Sequence, residues 1–174
     1  MDDFSPVMTR CSCREYTDST VPEYLLRTLV HGGMRAPSAR NERPWEFLIL
    51  CSEESRRQVT LASPYASMCE KASAVILVLA NMERISPESP WWVQDLSACT
   101  ENILIRATEL GLGAVWLGIY PRQARMEALQ KAFALPENLL PFAAVPIGYP
   151  ARERENHNRY EAERVRWIRQ EKEK

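Results

Sequence analysis

The residues best able to do chemistry lie close together near the start of the chain: Arg10, Cys11, Ser12, Cys13 and Arg14. In an extended segment alternate side chains share a face. Arg10, Ser12 and Arg14 would then present two guanidinium forks and a hydroxyl on one side. Such a set is an anion cradle, able to pair with a phosphate or with a ring carbonyl and nitrogen. A second polar cluster, Met34 to Trp45 (MRAPSARNERPW), is pinned by Pro37 and Pro44. A stiff loop loses less entropy when it closes around a ligand. Each cluster alone also has an ordinary explanation. Two arginines and a serine can simply be solvated, and Ser38 and Asn41 can bond their own backbone in a turn.

The elements that must position these clusters follow from apolar periodicity. The spacing predicts a first helix with Ser19 or Thr20 as cap, Pro22 in its first turn, Leu25, Leu26, Leu29 and Val30 on one face, and an end at Gly32-Gly33. Glu46 to Cys51 and Ser73 to Ala80 read as strands, the second continuous enough to be buried on both faces. Between them Ser52 caps a charged helix that Ser63-Pro64 breaks. The longest helix should run from Trp91 to Leu110. Then come a strand at Gly113 to Ile119, a helix at Arg122 to Phe133, and a strand at Leu139 to Gly148. Pro141 and Pro146 assign that last strand to an edge or a bulge. From Ala151 onward the chain is charged and polar apart from Tyr160, Val165, Trp167 and Ile168, a pattern that favours an arm docking elsewhere over a solvated tail.

With 174 residues, 45% of them hydrophobic, and no repeat or linker, the chain reads as one globular domain. It can bury roughly 70% of its unfolded surface, enough for a core and a small-molecule site. Its 22 basic and 23 acidic residues leave a net charge of -1, which argues against a broad phosphate-binding face and hence against nucleic acid. No apolar stretch is long enough for a membrane span, and the opening MDDFSPVMTR lacks the form of a secretory signal, so a cytoplasmic address is expected. The five scattered cysteines then read as reduced thiols.

Several signatures are missing. The sequence holds no P-loop, no GxGxxG after a strand, no HExxH, no GxSxG and no CxxC. His31 and His157 are isolated, so no metal site is expected, and His31 is explained by the end of its helix. Cys11-x-Cys13 is a weak redox signal beside ordinary thiols. Trp91 and Trp92 suit stacking on an aromatic ligand, but packing is the commoner use of such residues.

Taken in order, R-x-S-x-R at Arg10 to Arg14, A-P-S-x-x-N-x-x-P-W-x-F from Ala36, E-L-G-L-G-A-V-W-L-G-I from Glu109, and Ile147-Gly148-Tyr149-Pro150 with the Arg159-Tyr160 to Trp167 tail resemble the FMN-dependent nitroreductase family over nearly the whole chain. The resemblance implies an α+β fold, a central mixed or antiparallel sheet flanked by helices, in an intertwined homodimer with FMN at the subunit interface. Residues 1–150 would form the FMN-binding domain and residues 151–174 an arm packed on the partner subunit. Carried over by position, Arg10 and Ser12 would approach the phosphate and ribityl chain, with Cys11 between them, and Arg14 the pyrimidine edge. Arg35, Pro37, Ser38 and Asn41 would come from the other subunit. Trp116, Leu117 and Gly118 look like the strand end beside the ring, and Arg159 like the late basic residue that closes on the phosphate.

The implied activity is an oxidoreductase moving a hydride from NADH or NADPH through FMN to nitroaromatics, quinones or similar electron-poor acceptors in a ping-pong cycle. The flavin itself would do the chemistry, so no catalytic side chain or metal is called for. Related readings are a flavin reductase, a reductive dehalogenase-like activity, and a flavin-binding redox sensor without turnover. Two departures stand out. Arg43 takes a place often held by Gln, and the short stretch between Ala80 and Trp91 implies a more open pocket.

Overall fold

A computed structural model describes residues 5–152 and 159–168. Its elements are α1 (Pro6–Thr9), α2 (Glu23–Gly33), β1 (Trp45–Leu50), α3 (Glu53–Ala62), β2 (Ala74–Asn81), α4 (Trp92–Glu109), β3 (Gly113–Ala114), β4 (Leu117–Gly118), α5 (Gln123–Ala132) and β5 (Leu139–Gly148). The strands form one antiparallel sheet in the order β1-β2-β5-β3, with β4 also paired to β5.

The apolar run of β2 explains the layering. Ala74, Ile76, Val78 and Ala80 pack with Leu26 and Leu29 of α2 and with Leu96 and Ile103 of α4. Val75, Leu77 and Leu79 point to the other face and pack with Val59 of α3 and with Met126 and Leu129 of α5. Both faces of an antiparallel sheet are thus covered by helices, so polar residues cannot alternate along β2. Cys69 lies in the second of these layers and Cys99 in a separate cluster with Ala36 and Trp45, and desolvation pushes both thiols up to about 12. None of the five cysteines is in a disulfide.

Helix ends follow local chemistry. The Ser52 hydroxyl accepts the Ser55 N–H and caps α3, as the sequence suggests. The cap of α2 differs from expectation: neither Ser19 nor Thr20 serves. Pro22 is the N-cap residue, and its carbonyl accepts the N–H groups of Leu25 and Leu26. The preceding chain is held instead by the Val21 N–H, which donates to the Ser73 hydroxyl at 2.7 Å. The four-residue α1 is too short to announce itself by periodicity.

One strand expectation is corrected and another is narrowed. Gly113 to Ile119 is not one strand but the two short pieces β3 and β4, separated by Val115 and Trp116. Of the two places the prolines allow β5, an edge or a bulge, the structure has the bulge: β5 lies inside the sheet, whose end strands are β1 and β3. The prolines survive there because the ladder is interrupted beside them. Pro146 falls in the gap between the β3 pairing at Ile147 and the β4 pairing at Ala144, and Pro141 stands beside a bulge opposite Val78 and Leu79. The bulge leaves Phe142 as the extra residue, and its carbonyl accepts the N–H groups of both Ile119 and Tyr120.

Candidate functional site

The segment after α1 runs along the free edge of β3. Ser12 pairs with Ala114 in parallel register, the Cys13 N–H donates to the Ala114 carbonyl at 2.8 Å, and Tyr16 pairs with Pro150. The segment is therefore extended, as the alternation of Arg10, Ser12 and Arg14 requires. It approaches the sheet very closely: a Cβ on Gly113 would stand 2.8 Å from the Cys13 Cβ. Only glycine fits at that point.

The alternation separates the two side-chain types. Arg14 lines a cavity of about 510 Å3 with Trp116, Leu117 and Gly118, joined by Tyr65 and Arg125. Cys11 and Cys13 line a different cavity, beside Thr108 and Gly113. Cys13 is buried, and its thiol donates to the Glu15 carbonyl at 3.2 Å. Arg10 is half-buried, and its Nε lies 3.1 Å from the Glu101 carboxylate.

The Arg14 cavity has a lining suited to a planar anionic ring. Trp116 is held at a tilt against Phe142, ring centroids 6.0 Å apart. Gly118 leaves the strand end open, because a Cβ there would meet no other atom closer than the Tyr120 carbonyl at 4.0 Å. Among the described residues the lining contains two guanidinium groups and no carboxylate.

The loop Arg35, Pro37, Ser38 and Asn41 goes elsewhere. Pro37 and Ser38 line a cavity of about 410 Å3 with Trp91, Gln94 and Asp95, and this cavity shares no residue with the one at Arg14. Arg35 and Asn41 are exposed, and Asn41 takes a left-handed backbone conformation with φ 58°. Arg159 is exposed. In one chain, then, Arg14 meets the 116–118 strand end, while Arg10, Ser12, the loop and Arg159 do not line that cavity. The two tryptophans divide between roles. Trp92 packs inside, edge-on to Tyr120 at 4.8 Å, whereas Trp91 is half-exposed beside Ser38.

Asp95 was not singled out by sequence reasoning, yet it holds the loop. It is buried in the first turn of α4, and its Oδ1 accepts the Ala39 N–H at 3.0 Å. Its Oδ2 is buried without a partner. Desolvation pushes the Asp95 carboxyl above its ordinary range against the pull of the Ala39 hydrogen bond, and the nearby Glu42 charge adds to the rise. Glu42 moves the other way: the Ser86 hydroxyl, more than any other neighbour, holds it below the ordinary carboxylate value. The available signal was a carboxylate four residues before Cys99 and eight before Ile103, inside an apolar helical stripe. Arg125 and Tyr65 carry no comparable signal, because they reach the cavity only through the fold.

The antiparallel sheet is covered by helices on both faces, with Arg14 and Arg125 at its open strand end, and comparison with known proteins identifies the family. The chain belongs to the Nitroreductase family, whose model matches residues 7–63 and 60–149. A protein of Methanothermobacter thermautotrophicus provisionally named NADH dehydrogenase/NAD(P)H nitroreductase is 37% identical over 167 residues, covering 95% of this chain and 86% of that protein. The crystal structure of a protein from Clostridium acetobutylicum, provisionally named an NADH oxidase, superposes with a TM-score of 0.89 at 36% identity, covering 95% of this chain and 99% of that one. A provisionally named nitroreductase from Desulfovibrio desulfuricans, solved in complex with FMN, superposes with a TM-score of 0.82 at 29% identity, covering 97% and 99%.

Proposed function

We propose that this chain is an FMN-dependent oxidoreductase. It moves a hydride from NADH or NADPH to nitroaromatics, quinones or similar electron-poor acceptors in two separate half-reactions, and works as an intertwined homodimer in the cytoplasm. The observation that carries the reading is the meeting of Arg14 with Trp116, Leu117 and Gly118 in one cavity without a carboxylate. FMN in the Desulfovibrio relative supports the choice of cofactor. When bound, that group supplies the atom that accepts and returns the hydride.

The residues of this chain do the rest by position and charge. Arg10 and Ser12 would hold the phosphate and ribityl chain, with Cys11 between them, and Arg14 the pyrimidine edge. Arg10 must then exchange Glu101 for a phosphate, a change from a partly exposed ion pair to a stronger bidentate one. A guanidinium at the pyrimidine edge also offsets the negative charge that reduction places there. Trp116, Leu117 and the bare backbone at Gly118 would form the wall along which the reacting edge lies. Arg35, Pro37, Ser38 and Asn41 would be supplied by the second subunit, a reading supported by Pro37 and Ser38 lining a separate cavity in one chain and by the absence of all four from the Arg14 cavity. Residues 151–174, of which 153–158 and 169–174 lie outside the described residues, would be the arm that holds that subunit and brings Arg159 to the phosphate. Tyr160, Val165, Trp167 and Ile168 are exposed in the single chain, as an arm awaiting a partner surface would leave them.

The test begins with the visible spectrum of the purified protein and identification of what denaturation releases. FMN in equimolar amount, reduced by a nicotinamide and reoxidised by an acceptor over repeated cycles, is the expected result. Arg10→Ala or Arg14→Ala should weaken FMN binding by about tenfold or more, because each removes a charge-assisted hydrogen bond. Cys11→Ala should do far less. Equal occupancy in all three variants would reject the assignment, and a chain shortened after Ala151 that stays dimeric and loaded would reject the arm.

A further inference from the structure

Arg125 is the second guanidinium of the Arg14 cavity, and nothing in the proposed flavin contacts uses it. It is fixed on two sides. Its Nη1 donates to the Gly118 carbonyl at 2.7 Å, and its Cζ lies 5.5 Å from the centre of the Tyr65 ring. Arginine has five N–H donors in a rigid fork, so most remain available after the bond to Gly118. No described carboxylate forms an ion pair with Arg125, and none lines the cavity. Ser63 and Ser67 add hydroxyls to the same wall, and Tyr65 is 70% exposed, so the ring and the fork stand at the mouth.

We propose that Arg125, held by Tyr65 and the Gly118 carbonyl, selects substrates that bring an oxyanion, a carboxylate or a phosphate, to the mouth of this cavity on the molecule that exchanges the hydride. The proposal rests on the oxidoreductase reading of this cavity. One hydrogen bond separates Arg125 from the strand end at Gly118, so a charge on a substrate reacting there lies within reach of its fork. The fork is held in place before any ligand arrives, which reduces the entropy lost on binding. The cavity also contains no negative group to neutralise it. A partly open site remains screened by salt, so the preference should shrink as ionic strength rises.

Two substrates could bring the oxyanion. One is a nicotinamide dinucleotide folded so that the extra phosphate on its adenosine ribose returns to the mouth, and the other is an aromatic acceptor with a carboxylate on its ring. The probes are matched pairs that differ in charge: 4-nitrobenzoate against 4-nitrobenzamide, and NADPH against NADH. Binding of the first pair is followed by quenching of tryptophan fluorescence in the purified full-length protein, at low and high salt. The second pair is compared by kcat/KM. Arg125→Gln keeps a polar amide but removes the charge, and Arg125→Lys keeps the charge but loses the fork. Unfolding midpoints of both variants show whether the fold holds.

The wild type should bind 4-nitrobenzoate about tenfold more tightly than 4-nitrobenzamide, as expected for one charge-assisted contact. Arg125→Gln should abolish that difference, and Arg125→Lys should restore part of it. Loss of discrimination confined to the dinucleotides identifies the donor as the source of the oxyanion; loss confined to the nitro compounds identifies the acceptor. If Arg125→Gln changes the charged and neutral members of both pairs equally, the proposal is wrong. A protein that releases no flavin and is not reduced by either dinucleotide overturns the oxidoreductase reading instead, and the fluorescence titration still decides this one.

Discussion

The two cavities that hold the candidate residues are built on different principles. The Arg14 cavity is assembled by backbone pairing: residues 12 and 13 lie on β3, β4 lies on β5, and each position follows from its register. The Ser38 cavity depends on a turn outside the sheet. Its shape rests on Asp95, which holds the Ala39 N–H, and on Glu42, which binds Ser86. Register spreads its energy over many hydrogen bonds, whereas a single buried carboxylate concentrates it. The first wall should therefore fail only when the backbone is forced apart, and the second when one side chain is removed.

Gly113→Ala is the harshest challenge to the first wall. The added methyl would meet the Cys13 Sγ at 2.5 Å and its Cβ at 2.8 Å, and a Cβ has no rotamer by which to withdraw. The expected cost is about 3 kcal/mol of unfolding free energy, at the top of the range for overpacking. Denaturant titration measures it. FMN binding should fall together with stability, because the segment carrying Arg10 to Arg14 must lift from β3. A variant that keeps full stability would show that this segment is not pinned by register.

Asp95→Ala is the matching challenge to the second wall. It removes the acceptor of the Ala39 N–H and should cost about 1–2 kcal/mol. Asp95→Asn keeps an acceptor at Oδ1 and should cost less. The two also separate by pH. The folded-state Asp95 carboxyl is raised, so the native state binds its proton more tightly than the unfolded chain does. Wild-type stability from this group is greatest below the ordinary carboxylate range and declines as pH rises through the raised value. The Asn variant lacks that decline and should gain on the wild type across the same interval. Parallel stability curves for the two proteins would show that Asp95 keeps its ordinary affinity for protons.

The same contrast explains how much could be read from the sequence. β2 was legible because a strand buried on both faces leaves an unbroken apolar run, and α3 because Ser52 stands where a cap must stand. The extended course of residues 12 to 16 was legible, and Trp116 to Gly118 do meet Arg14, though Arg10 and Ser12 do not line that cavity. For β5 the prolines left an edge or a bulge open, and the bulge could not be chosen because no local pattern shows that β3 and β4 leave a gap beside Pro146. Arg125, Tyr65 and Asp95 were not legible because their meaning depends on residues far away in sequence. Asp95 reaches Ala39, and Arg125 reaches Tyr65, only after the sheet has brought their elements together.

The smallest expected effect is the one that sharpens the second wall most. Ser86 gives Glu42 two hydrogen bonds, from its backbone N–H and from its hydroxyl, and the hydroxyl is the larger cause of the lowered Glu42 value. A carboxylate lowered in the folded state stabilises above its unfolded value, and that contribution disappears as pH falls through the folded one. Ser86→Ala should therefore be slightly less stable than the wild type at neutral pH, with the gap closing on acidification. Asp95 behaves in the opposite sense, and the Glu42 charge is among the causes of its rise. Protonating Glu42 removes that charge and should ease ionisation of Asp95, so the two titrations are coupled within one loop. The comparison that decides it is the pH dependence of Asp95→Asn measured with and without Ser86→Ala. Additive curves would mean that Asp95 and Glu42 hold the loop independently; a difference that appears only across the carboxylate range would mean that they act as one unit.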